Sequence, residues 1–125
     1  MLKARKLRKL SERDIQEACC TLLAYDNWRR LRCEPVSRRE WGKGFGEPGM
    51  ADDLFIRYGR GGEPTEVMWI EWKAPGGKPT PGQLAWHAAE RASGASTYVA
   101  GMDFERSVDG FLVWYRSSGW MRRPI

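Results

Sequence analysis

The residues of this chain whose types and spacing suit joint chemistry are Asp53, Glu71 and Lys73, with the acid Glu12 on an upstream segment of helical pattern. Glu71 and Lys73 close the mostly apolar run Val67-Met68-Trp69-Ile70-Glu71-Trp72-Lys73, and residues two apart on a strand point to one face. Asp52-Asp53 opens the preceding β-rich run, Leu54 to Tyr58. If the two runs pair as an antiparallel hairpin, Asp53 near the start of one comes close to Glu71 near the end of the other. Carboxylates on a covered sheet need a cation, strong hydrogen bonds or a bound metal. Two of them from adjacent strands are hard oxygen ligands suited to Mg²⁺ or Mn²⁺, ions that keep positions open for water and phosphate. Such an ion acidifies a water and neutralises charge on phosphoryl oxygens, while an adjacent ammonium orients the nucleophile. This is the chemistry of phosphodiester hydrolysis. The acid-x-Lys spacing alone arises about once by accident in a chain of this kind, so the argument rests on the joint context.

Each residue also has a structural account. Glu12 suits a helix N-terminus, and Gln83 completes a capping box with Thr80. Asp53 reads equally as a turn acid, and Glu71 with Lys73 as an ion pair. His87, the single histidine, sits one turn after Gln83 and is expected to be a surface or packed residue. Trp41, among Arg38, Arg39 and Lys43 in a glycine-rich loop, suits a nucleic-acid contact or a loop folded over the core. That loop is expected to be ordinary rather than a dinucleotide cradle.

The elements that must position these groups follow from periodicity and caps. Ser11 caps an amphipathic helix over about 11 to 25, with Ile15, Ala18, Cys19, Leu22 and Leu23 at helical spacing. A short strand is predicted over 31–36, a loop over 37–49, and a hairpin turn at Gly59-Arg60-Gly61-Gly62. Thr80-Pro81-Gly82-Gln83 opens a helix running to about 93, where Gly94 stops it. Ser96 to Ala100 is a further β run, and Asp103 is expected to cap a last helix holding Val108, Phe111, Leu112 and Tyr115. The order helix, hairpin, helix, strand, helix predicts an α/β fold, a small mixed β-sheet flanked by helices.

The 125 residues suit one domain, and 42% hydrophobic content with seven tryptophans excludes disorder of the whole chain. No apolar run approaches the roughly 20 residues of a membrane helix, and the basic arm 1–10 lacks the apolar stretch of a signal peptide, so a soluble cytoplasmic protein is expected. Three cysteines without CxxC spacing predict free thiols. Lys and Arg total 21 against 16 acids, and the resulting +5 favours a polyanionic partner.

Gly49-Met50-Ala51-Asp52-Asp53-Leu54, Ile70-Glu71-Trp72-Lys73-Ala74-Pro75-Gly76-Gly77 and Gln83, together with Glu12 and Ile15-Gln16, resemble the VRR-NUC (virus-type replication-repair nuclease) domain of the PD-(D/E)xK nuclease superfamily. The likeness spans about residues 11 to 101, and the chain reads as one such domain over 1–125. It implies a restriction-endonuclease-like core, with Asp53 and Glu71 as metal ligands, Lys73 as catalytic lysine, Glu12 as the helix acid and Gln83 as the glutamine of the next helix. Gln16 is implied to support the site. The family's Gly-x-Pro-Asp followed by an apolar residue is altered here: Ala51 replaces proline and Asp52 is additional. Asp53 keeps the following leucine and is preferred, with Asp52 expected on the other side of the strand; a bulge after Gly49 would reverse the choice. The resemblance further implies a Mg²⁺- or Mn²⁺-dependent endonuclease acting on branched, flapped or Holliday-junction DNA in replication, repair or recombination. A homodimer in the cytoplasm of a bacterial or phage-infected cell completes the expectation. The alternatives are a non-catalytic basic nucleic-acid-binding module and a protein-interaction domain that is basic only incidentally.

Overall fold

A computed structural model describes residues 9–33 and 46–125. In chain order the elements are α1 (Glu12–Tyr25), β1 (Arg29–Arg32), β2 (Asp53–Arg57), β3 (Glu66–Glu71), α2 (Pro81–Ala92), β4 (Thr97–Val99) and α3 (Val108–Ser117). Trp41 with its basic neighbours, and most of the basic arm, lie outside the described residues. The strands form one mixed sheet in the order β1-β2-β3-β4, antiparallel except for the parallel pair β3 and β4. The expected α/β class with a small mixed sheet is what the chain forms.

Local chemistry accounts for the helix starts. Ser11 accepts from the Asp14 N–H while the Asp14 carboxylate accepts from the Ser11 N–H, so Asp14 completes this capping box and Glu12 is not used in it. Thr80 and Gln83 make the same reciprocal pair for α2, with Pro81 in its first turn. The last helix differs from expectation, because Ser107 caps it rather than Asp103. Gly101, at φ +90°, turns the chain directly after β4, and Asp103 is consumed there, accepting from the Val99 N–H and from Arg91, both at 2.7 Å. The first strand begins at Arg29, two residues before its predicted start, since Asn27 at φ +69° reverses the chain right after α1. Residues 34–36 of that prediction lie outside the described residues.

Strand alternation decides which side chains enter the core. Phe55, Met68 and Ile70 are fully buried together with Cys19 and Leu23 of α1 and Phe111 and Tyr115 of α3, and Trp72 and Trp28 complete the same cluster. Helices α1 and α3 pack against each other. The three cysteines are free, and burial pushes the Cys19 thiol up to about 12. Beneath α1, the fully buried Asp26 accepts from Arg57 Nη1 at 3.1 Å, from the Tyr115 hydroxyl, and from the Arg122 and Arg123 N–H groups at 3.0 and 2.8 Å. One carboxylate thereby ties β2, α3 and the C-terminal segment together. Among the described residues, no helix is long and apolar enough to cross a membrane.

Candidate active site

The antiparallel register of β2 and β3 pairs Asp53 with Ile70, Leu54 with Trp69 and Phe55 with Met68. One step outward from the first of these pairs stands Asp52 opposite Glu71. Residues directly opposite share a face, so Asp52 joins Glu71, whereas Asp53 turns with Ile70 into the core. The expected pairing of Asp53 with Glu71 is therefore corrected: Asp52 is the carboxylate beside Glu71. Asp53 is fully buried, its Oδ2 accepting from Gln16 Nε2 at 2.9 Å and Trp72 Nε1 at 2.8 Å, with the Cys20 thiol at 3.8 Å. Its Oδ1 accepts from Arg30 Nε at 2.9 Å. Gln16 thus serves Asp53. A period of two puts neighbouring aspartates on opposite sides of a strand, and only the register decides which one meets Glu71.

Asp52 Oδ2 accepts the Trp72 main-chain N–H at 2.8 Å, which ties the residue before β2 to the residue after β3. Glu71 is 1% exposed. Burial pushes its carboxyl up to about 10, and Asp52 beside it adds to the rise by hydrogen bonding and by its charge, with Lys73 opposing. Glu12, at the first position of α1, is also raised, first by burial and then by the Asp52 charge, while Lys73 lowers it. The helix acid accordingly shares the electrostatic neighbourhood of the pair.

Gln83 joins the remaining parts. Its Nε2 donates to Glu71 Oε1 at 3.1 Å, and its Oε1 accepts from Lys73 Nζ at 3.0 Å and from the Thr80 N–H at 2.9 Å. The capping reading and the site reading of Gln83 describe the same carboxamide. The approach of α2 depends on Gly49, at φ +81°: a Cβ there would lie 2.5 Å from the Gly82 carbonyl oxygen. Trp86 Nε1 also donates to Glu47 at 3.0 Å, so the segment leading to Asp52 is pinned to the helix carrying Gln83. Lys73 lies two residues past the end of β3, just before a tight turn closed by the Gly77 N–H to the Ala74 carbonyl at 2.8 Å, with exposed Lys78 following.

His87 is the packed histidine of the bland expectation. It is 2% exposed, its Nδ1 faces Thr97 Oγ1, its ring meets Trp86 edge-on, and burial first, then the Arg91 charge, lower it to about 4. Sequence reasoning weighed Asp52 but preferred Asp53, and it missed Trp72 as the residue held by both aspartates and the Gly49 approach to Gly82. The signal available for Asp52 was the doubled aspartate before a strand.

Asp52 and Glu71 suit a hard divalent cation by the chemistry of their donors. Burial and the neighbouring Asp52 favour the protonated form of Glu71, which an ion would have to displace, and Gln83 and Lys73 occupy one side of the pair. Among the described residues, no group of three or more His, Cys, Asp and Glu is arranged to hold a metal. Two protein carboxylates with water and substrate oxygens filling the other positions is the usual Mg²⁺ arrangement. Compared with protein-family models, with curated proteins and with solved structures, the chain matches none.

Proposed function

We propose that this chain is a Mg²⁺- or Mn²⁺-dependent DNA endonuclease of VRR-NUC type, built on a PD-(D/E)xK core. Its substrates are branched, flapped or Holliday-junction DNA in replication, repair or recombination, and it acts as a homodimer. The single observation that carries the reading is the convergence of Asp52, Glu71, Lys73 and Gln83 at one end of the β2–β3 hairpin, with Glu12 in the same field.

In this reading Asp52 and Glu71 hold the ion. When bound, it supplies a more acidic water and positive charge against the phosphoryl oxygens. Lys73 keeps an ammonium beside that position, where it orients the attacking water and stabilises charge building on the phosphate. Gln83 fixes Lys73 through Oε1 and Glu71 through Nε2, so neither has to search for its place during reaction. Water would attack phosphorus in line with the departing oxygen, one P–O bond forming as the other breaks, the water releasing a proton to solvent and the departing oxygen taking one up, which leaves a phosphomonoester end and a hydroxyl end. Arg29, Arg32 and Lys78 are available for the substrate backbone, and such contacts confer no sequence preference.

The test is incubation of the protein with linear, flapped and four-way DNA in Mn²⁺ or in chelator. Cutting in Mn²⁺ alone, abolished by Lys73→Ala with DNA affinity retained, is the expected result. DNA binding without cleavage under any divalent metal would leave a non-catalytic binding module, and affinity insensitive to salt would leave an interaction domain.

A further inference from the structure

We propose that Asp53 is a positioning residue: its buried carboxylate fixes Trp72, and through Trp72 sets the direction in which Glu71 and Lys73 present their charges. The inference rests on the nuclease reading and names what organises that same site.

Trp72 is held from two sides by adjacent aspartates. Asp52 takes its main-chain N–H and Asp53 its indole N–H, each at 2.8 Å. The residue lies one step beyond β3, where sheet pairing no longer supports the chain. These two hydrogen bonds add direction to a segment that ring packing and the Gln83 contacts of Glu71 and Lys73 already restrain. Because alternate residues face opposite ways, holding the Trp72 ring in the core holds Glu71 and Lys73 on the outer face. The ring itself cannot shift alone, being fully buried with Phe111, Phe104 and Phe55 at centroid distances of 5.5, 5.9 and 6.5 Å.

Asp53 is in turn immobilised from α1 and β1. Gln16 and Arg30 each donate at 2.9 Å, and the two donors to Oδ2, Gln16 Nε2 and Trp72 Nε1, meet on one oxygen atom. A buried charge pair is seldom more stabilising than apolar side chains of equal volume. What the carboxylate adds over a leucine is direction: acceptors that fix the indole in one orientation. Helix α1, Asp53, Trp72 and the Glu71/Lys73 pair form one continuous chain of contacts.

The experiment uses the full chain with the near-isosteric Asp53→Asn and, as a milder second variant, Gln16→Met, which removes one donor to Asp53. Mn²⁺ affinity is measured by calorimetry without DNA. Tb³⁺, a hard cation sensitised by tryptophan, reports coordinated water through luminescence lifetimes in H₂O and D₂O. Cleavage of flapped DNA gives kcat and KM. The expected result for Asp53→Asn is kcat lower by about 10- to 100-fold with KM within about twofold, and an altered Tb³⁺ hydration number. Gln16→Met moves the same quantities in the same direction by less, and it decides the matter alone if Asp53→Asn does not fold. Variants that lose thermal stability yet keep kcat, Mn²⁺ affinity and Tb³⁺ hydration overturn the positioning role alone, since a merely structural residue would behave so. A wild-type chain that neither binds Mn²⁺ nor cuts overturns the nuclease reading, and this inference with it.

Discussion

Asp52 stands directly across the hairpin from Glu71, and the half-buried and the buried carboxylate share one face of the sheet while Asp53 lies on the other. In the metal-free fold Glu71 keeps its proton up to about pH 10 against an ordinary 4.5, so the native state binds a proton that the unfolded chain releases. Stability must then fall as pH rises from 4.5 toward about 10. His87 acts with the opposite sign: lowered from 6.5 to about 4, it stays neutral where the unfolded chain takes a proton, and stability falls as pH drops through that interval. Melting temperature in chelator should decline on both flanks. Asp52→Asn should flatten the alkaline flank and His87→Gln the acid one. A melting temperature that climbs steadily with pH would contradict the Glu71 assignment.

If the proposed site takes Mn²⁺, the ion must displace the Glu71 proton. Its stabilising effect should accordingly be larger at about pH 8 than at about pH 5. Thermal shift at matched free Mn²⁺ checks this, and Asp52→Asn should abolish the shift at both pH values.

Gln83 serves a helix cap and bridges Glu71 to Lys73 with one carboxamide, and two variants separate these duties. Thr80→Ala removes only the cap and should cost about 1 kcal/mol in chemical denaturation with cleavage retained. Gln83→Leu keeps the main-chain N–H that Thr80 accepts but removes the carboxamide's half of the capping box together with its bonds to Glu71 and Lys73, and should lower kcat by about tenfold or more at a similar stability cost. Equal activity of the two variants would leave the glutamine with the cap alone.

Asp26 is fully buried against Arg57, itself 3% exposed. Asp26→Ala strands that guanidinium with Glu66 as its remaining acidic partner and frees two main-chain N–H groups of the C-terminal segment. The expected loss is about 3 to 5 kcal/mol, enough to unfold a domain of ordinary stability. A denaturation midpoint close to wild type would show that the C-terminal segment does not depend on this carboxylate.

Gly49→Ala should destabilise by about 1 to 3 kcal/mol, because the backbone is left-handed there and the new methyl meets the Gly82 carbonyl. As the strain falls between the Asp52 segment and α2, cleavage should fall more than stability alone accounts for. Activity measured well below the melting point makes that comparison.

By itself the sequence determined the elements and the composition of the site. Helical periodicity and the Ser11 and Thr80 caps mark α1 and α2, and the apolar runs around the glycine turn mark the hairpin, because these signals act within a few residues. Glu71 and Lys73 were legible from their spacing on an apolar strand run, whereas Glu12 and Gln83 joined them only through the family resemblance, each reading equally well as a helix-start residue. The start of α3 was not legible, since Ser107 and Asp103 are both competent caps and the turn at Gly101 chooses between them. Nor was the choice between Asp52 and Asp53, which differ by one residue and hence by a whole sheet face. Only the pairing of β2 with β3 settles that, together with Gln16, Arg30 and Trp72 gathered around Asp53 from three separate elements. A one-residue step in register costs nothing in local propensity yet exchanges core for surface, so tertiary contacts alone carry that information.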